Sequence, residues 1–117
     1  MKRILLLMIL MISCSLAYAQ SDYYIKKAQS YQREAVYYQK KADGYRREAA
    51  YYLKKAEGYQ RDAAYYTKRG DLDRAKTYSR YAENAMDKYE IQLRYALQAD
   101  DKAAMYLRWA ADALKKH

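Results

Sequence analysis

Residues 23–70 read YYIKKAQSYQREAV, YYQKKADGYRREAA, YYLKKAEGYQRDAA and YYTKRG, three copies of a 14-residue unit and the start of a fourth. Each unit is two heptads. Alanine stands at Ala28, Ala35, Ala42, Ala49, Ala56 and Ala63, and tyrosine at Tyr24, Tyr31, Tyr38, Tyr45, Tyr52, Tyr59 and Tyr66, so the spacing alternates between three and four residues. On a helix that spacing draws a single stripe, the seam along which one helix packs on another. Proline is absent from the whole chain, which leaves nothing to interrupt a long helix.

The repeat breaks at Arg69-Gly70-Asp71-Leu72-Asp73. Gly70 takes the alanine slot and suits the left-handed conformation that ends a helix, while Asp71 suits the cap of the next. Beyond it the heptad resumes, with Ala75, Ala82, Tyr89, Ala96, Ala103 and Ala110 at one position and Tyr78, Ala85, Gln92, Ala99, Tyr106 and Ala113 at the other. The fold expected is all-α, a long antiparallel helical hairpin or coiled coil supercoiled left-handed by its seven-residue period. Arm 1 covers roughly 22–69, opened by a cap at Ser21 or Asp22, and arm 2 roughly 72–116. Asp100 and Asp101 offer a second break inside arm 2, but the heptad passes through them in phase, which favours one continuous arm. With the turn at Gly70 and Asp71, Tyr66, Tyr59, Tyr45, Tyr38 and Tyr31 face the neighbourhoods of Ala75, Ala82, Ala96, Ala103 and Ala110, large against small; Tyr52 against Tyr89 is the exception.

Around this turn, Tyr59, Ala63, Tyr66, Gly70, Leu72, Ala75 and Ala82 fall at the spacing of a tetratricopeptide-type helical hairpin. The segment Tyr59 to Ala82 resembles one such motif. It departs from the pattern at Asp62 and Ser79, where large apolar residues are usual, and the closing proline is missing. The resemblance implies a protein-binding helical scaffold and carries no particular binding residue with it.

Residues 1–19 have the three parts of a secretory signal: Lys2 and Arg3, the apolar run from Ile4 to Ile12, and Ala17-Tyr18-Ala19 before Gln20. The mature domain is then 20–117, exported to the periplasm or beyond, and the short basic leader points to a bacterial envelope. The apolar span from Ile4 to Leu16 is ~20 Å as a helix, short of the ~30 Å hydrocarbon core, so no transmembrane anchor is expected after processing. The alternative is a lipoprotein anchored through Cys14, the only cysteine in the chain.

The chain carries 23 Lys and Arg against 14 Asp and Glu, and loss of Lys2 and Arg3 lowers the excess from nine to seven. A basic balance favours acidic partners. Catalysis finds no footing, because the only histidine is His117 at the chain end, and no nucleophile motif, metal-ligand cluster or phosphate loop is present. No enzyme activity, cofactor, metal or small-molecule substrate is expected.

The sharpest candidate site is a second tyrosine row. Tyr23, Tyr37, Tyr51 and Tyr65 recur every 14 residues, and each precedes a basic pair by three and four residues: Lys26-Lys27, Lys40-Lys41, Lys54-Lys55 and Lys68-Arg69. On a helix those cations lie beside the ring. Arg80-Tyr81, Arg94-Tyr95 and Arg108-Trp109 repeat the combination on arm 2. Two readings stand side by side. In the first, the rings broaden the hairpin interface or join hairpins together, with the lysine stems along them; the protein is then an exported coiled-coil structural or protein-interaction module that associates with itself as a homo-oligomer, or with another protein. In the second, the ladder stacks on an acidic polymer, whether polysaccharide, lipopolysaccharide or extracellular nucleic acid, while its cations hold the charges.

Overall fold

A computed structural model of the chain describes residues 2–116, with side chains described from residue 21 to residue 116. The readings that fall on the leader side chains, on Cys14 and on His117 lie outside the described residues. Two helices, α1 (Lys2–Lys68) and α2 (Leu72–Lys115), form an antiparallel hairpin, and no strand occurs among the described residues. α2 is unbroken at Asp100 and Asp101. α1 passes through Ser21 and Asp22 instead of starting at them, since no proline or glycine lies upstream to stop it. Asp22 therefore does not cap; its carboxylate reaches Lys26 one turn on, at 3.2 Å. Among the described residues no helix is long and apolar enough to cross a membrane.

The turn follows from two residues. Gly70 has φ +79°, a conformation that costs an ordinary L-residue roughly 1–2 kcal/mol. In that conformation its N–H donates to the Thr67 carbonyl at 3.1 Å and the Asp71 N–H donates to the Tyr66 carbonyl at 3.0 Å, which satisfies two of the carbonyls left open at the end of α1. Asp71 then opens α2: its carbonyl accepts from the Ala75 N–H, its side chain accepts from the Arg74 N–H at 3.3 Å, and its carboxylate pairs with Arg74 Nε at 3.4 Å.

The chain divides into two compact units, one of Tyr38–Asp101 and one of Met1–Tyr37 with Lys102–His117. In the first, which contains the turn, Ala42, Ala49, Ala56 and Ala63 of α1 and Ala75, Ala82, Ala85, Ala96 and Ala99 of α2 are buried, at 0–8% exposure. The seam tyrosines Tyr45, Tyr52, Tyr59, Tyr66, Tyr78 and Tyr89 are only half-buried. Tyr66 stacks on Tyr78 with ring centroids 5.4 Å apart and planes 8° from parallel. An ion pair joins the helices from Arg46 to Asp100, and Arg46 also holds Asp43 at 2.9 Å. In the second unit Ala28, Ala110 and Ala113 form the core with Tyr31 packed against them, and Ala35 and Ala103 are also buried.

The expected neighbourhoods hold for Tyr31, which packs on Ala110 and Ala113, and for Tyr45 and Tyr59, and in each of them the tyrosine also meets a ring. Tyr31 meets Trp109, Tyr45 meets Tyr95 and Tyr59 meets Tyr81, with centroids 5.4–5.7 Å apart and partner numbers that sum to 140 in every case. Tyr52 lies under the Lys88 ammonium, 5.6 Å from the ring centroid, and not against Tyr89. The cause is the alanine seam. Helices that touch through methyl groups leave no room for a ring between them, so each tyrosine tilts to the edge and finds another ring there.

Two substitutions separate seam from flank. Ala56 is fully buried, so Ala56→Leu should overpack the seam and lower stability by about 1–3 kcal/mol in urea titration. Gly44 sits inside α1 with nothing within 4 Å of an added Cβ, so Gly44→Ala should raise stability by about 1 kcal/mol.

Candidate functional site

The flanking tyrosine row emerges as a set of exposed rings, with Tyr23, Tyr37, Tyr51 and Tyr65 all 51–60% accessible. They stay outside because they stand one position before the seam tyrosines and so point away from the other helix. Tyr23, Tyr51 and Tyr65 each meet the seam tyrosine that follows in T-shaped contact, at 5.2–5.3 Å. The second cation of the basic pair covers the flank ring. Lys27 Nζ lies 6.0 Å from the Tyr23 centroid, Lys55 Nζ 5.0 Å from Tyr51, and the Arg69 guanidinium 5.1 Å from Tyr65. This is the i to i+4 geometry of a helix face. The first cations of the pairs, Lys40, Lys54 and Lys68, are exposed, and Lys26 is engaged by Asp22.

The arm 2 members of the ladder divide. Arg80, Arg94 and Arg108 are exposed. Tyr81, Tyr95 and Trp109 are 43–46% accessible and lean across on Tyr59, Tyr45 and Tyr31, so they line the groove between the helices.

That groove holds a concave niche in each unit. In the unit with the turn, a space of about 190 Å³ is lined by Tyr52, Lys55, Tyr59, Tyr81, Asn84, Ala85 and Lys88. In the other unit a space of about 240 Å³ is lined by Tyr24, Lys27, Tyr31, Trp109, Asp112, Ala113 and Lys116. The two linings are the same positions, displaced by two copies of the 14-residue repeat on both helices. Each has three aromatic rings, two lysines and an alanine floor. They differ at one polar position, Asn84 in one and Asp112 in the other.

The sequence reading singled out Lys55 and Tyr81 but not Lys88, Asn84 or the niche as a unit. A signal for them was present. α2 repeats an aromatic residue, an amide or acid three positions on, then alanine, then lysine, as Tyr81-Asn84-Ala85-Lys88, Tyr95-Gln98-Ala99-Lys102 and Trp109-Asp112-Ala113-Lys116. That spacing places all four side chains on one helix face.

The Lys55 ammonium titrates above its ordinary value. A hydrogen bond to Tyr51, reinforced by the charge that phenol acquires at high pH, raises the ammonium above the ordinary lysine value of 10.5. A raised folded-state value means that the stabilisation is fully present below 10.5 and is lost as pH climbs through the folded value. At neutral pH Lys55 is a fixed positive charge.

Among the described residues no group of three histidine, cysteine, aspartate or glutamate side chains is placed to hold a metal ion. No protein-family model, curated protein or solved structure matches the chain.

An NMR titration of the Lys55 side chain should give a pKa above 10.5, and Tyr51→Phe should return it toward that value. An unchanged titration in the Phe variant would show that the Tyr51 hydroxyl is not the cause.

Proposed function

We propose that the protein is a non-catalytic helical interaction module of a bacterial envelope, exported by its leader, that associates with further copies of itself. The observation that carries this reading is the poverty of the core. The fourteen buried apolar residues among those described are all alanines, and no large side chain is fully buried. An alanine contributes one methyl group, worth ~0.8 kcal/mol, where a buried leucine or isoleucine contributes ~1.5–3 kcal/mol. Large apolar groups are present, but outside. In one unit Ile25, Val36, Leu107, Trp109 and Leu114 are 39–47% exposed; in the other, Leu72 and Leu97 exceed 60%.

One edge of the unit with the turn supports the same reading. Leu53, Met86 and Leu93 stand there half-buried, beside a groove lined by Gln60, Ala63, Ser79, Ala82, Glu83, Met86 and Asp87. The charges Arg46 and Asp100 of this edge neutralise each other. A leucine edge with Glu83 and Asp87 at its rim has the apolar centre and polar border that suit another helix better than water. The likeness of Tyr59–Ala82 to a tetratricopeptide hairpin points in the same direction, toward a protein partner. Anchoring through Cys14 in place of cleavage after Ala19 would fix the module to a membrane without altering these surfaces.

Self-association predicts a melting temperature that rises with chain concentration, because mass action favours the assembled state. Leu53→Glu with Leu93→Glu should weaken association at least about tenfold in sedimentation equilibrium, the effect of ~1.4 kcal/mol. A monomer mass at every concentration, with a concentration-independent melting temperature, would refute the proposal.

A further inference from the structure

We propose that the niche lined by Tyr52, Lys55, Tyr59, Tyr81, Asn84 and Lys88 binds one acidic pyranose unit of an anionic polysaccharide, with the carboxylate held by the two lysines. This inference concerns the aromatic groove and not the leucine edge, so it stands apart from self-association.

The size sets the first limit. At about 190 Å³ the niche is below the ~300–1,000 Å³ of ordinary small-molecule pockets, which suits one ring-sized unit of a longer ligand. An open niche on a helix pair also lets a chain enter and leave on both sides.

Its walls set the second. Tyr59 touches Tyr81 at 5.4 Å and Tyr78 at 6.3 Å between centroids. A flat base sandwiched between two rings needs ~7 Å between them, twice the normal carbon contact distance. The rings therefore present an aromatic surface against which a ligand lies, and they exclude intercalation. A pyranose ring places its C–H groups on such a surface and turns its hydroxyls outward. Asn84, with an amide that both donates and accepts, answers those hydroxyls.

Charge sets the third. Lys55 and Lys88 border the niche, and no acid lines it. Both are compact ammonium groups, each already beside a ring: Lys55 Nζ is 5.0 Å from Tyr51 and Lys88 Nζ 5.6 Å from Tyr52. Two ammonium point charges suit one anionic group, and the DNA arm of the test separates a carboxylate from a phosphate. The counterpart niche in the other unit has Asp112 where this one has Asn84, so it has the same two lysines and one added negative charge and takes the same ligand more weakly.

The test is a calorimetric titration of the full chain with a short oligogalacturonate, alongside its methyl-esterified form and single-stranded DNA. The expected result is binding of the acid form and not of the ester, with Lys88→Gln and Asn84→Asp each weakening it about tenfold. Lys76→Gln removes an exposed cation of α2 that lies outside the niche, and should change affinity less than about twofold. Tyr81→Leu keeps apolar bulk but removes the ring, and should weaken binding while the helical circular dichroism is unchanged. Three results would overturn the proposal: no binding of the acid form, equal losses from Lys76→Gln and Lys88→Gln, or DNA binding that is tighter and depends on Lys88 to the same degree. The first two leave the oligomeric state untouched, so they are distinguishable from failure of self-association.

Discussion

Contact between alanines governs this protein. A seam of methyl groups lets two helix backbones approach closely, and close approach leaves the larger side chains no place between them. The tyrosines are displaced to the edges, where they meet rings from the other helix. The same constraint that makes the core thin thus makes the surface aromatic. A seam of leucine would have buried more area and hidden the rings' partners; alanine keeps both on view.

Two kinds of tyrosine result, separated by one residue in sequence. Tyr24, Tyr52 and Tyr66 lie at the seam and are half-buried; Tyr23, Tyr51 and Tyr65 beside them are exposed and carry a cation. A helix turns by about 100° per residue, enough to move a ring from groove to flank. The Tyr-Tyr pair at the head of every repeat therefore serves two surfaces at once. It also couples them at Tyr23-Tyr24, Tyr51-Tyr52 and Tyr65-Tyr66, where the two rings touch edge to face.

Much of this was legible in the sequence. The alanine positions of both arms are the buried ones, and Gly70 and Asp71 make the turn, because heptad spacing and left-handed glycine act locally and need no knowledge of a partner. The ring partners were harder to read. Tyr59 with Tyr81 depends on how far the rings tilt from the seam, which the antiparallel numbering alone does not reveal. Lys88 and Asn84 escaped for a related reason: each is an ordinary exposed polar residue until Tyr52, Tyr59 and Tyr81 arrive beside it from elsewhere in the chain. The cap expected at Ser21 or Asp22 belongs to the chain without its leader; in the full chain the residues before them continue the helix.

The glycine turn has a further consequence, for the order in which the chain can assemble. Tyr66 and Tyr78 lie on either side of Gly70, so their stack closes a short loop. Ala28 and Ala110 meet across nearly the whole chain, and closing that loop unaided costs on the order of 2 kcal/mol more. The unit with Ala28 has no turn of its own; its two segments are joined only through the unit that has one. Pairing is therefore cheapest at Gly70 and becomes affordable outward from it, each closed contact shortening the loop for the next. A chain that emerges from its N-terminus must hold the whole of α1 without a partner until Gly70 appears, with its alanine stripe open to any other helix of the same repeat.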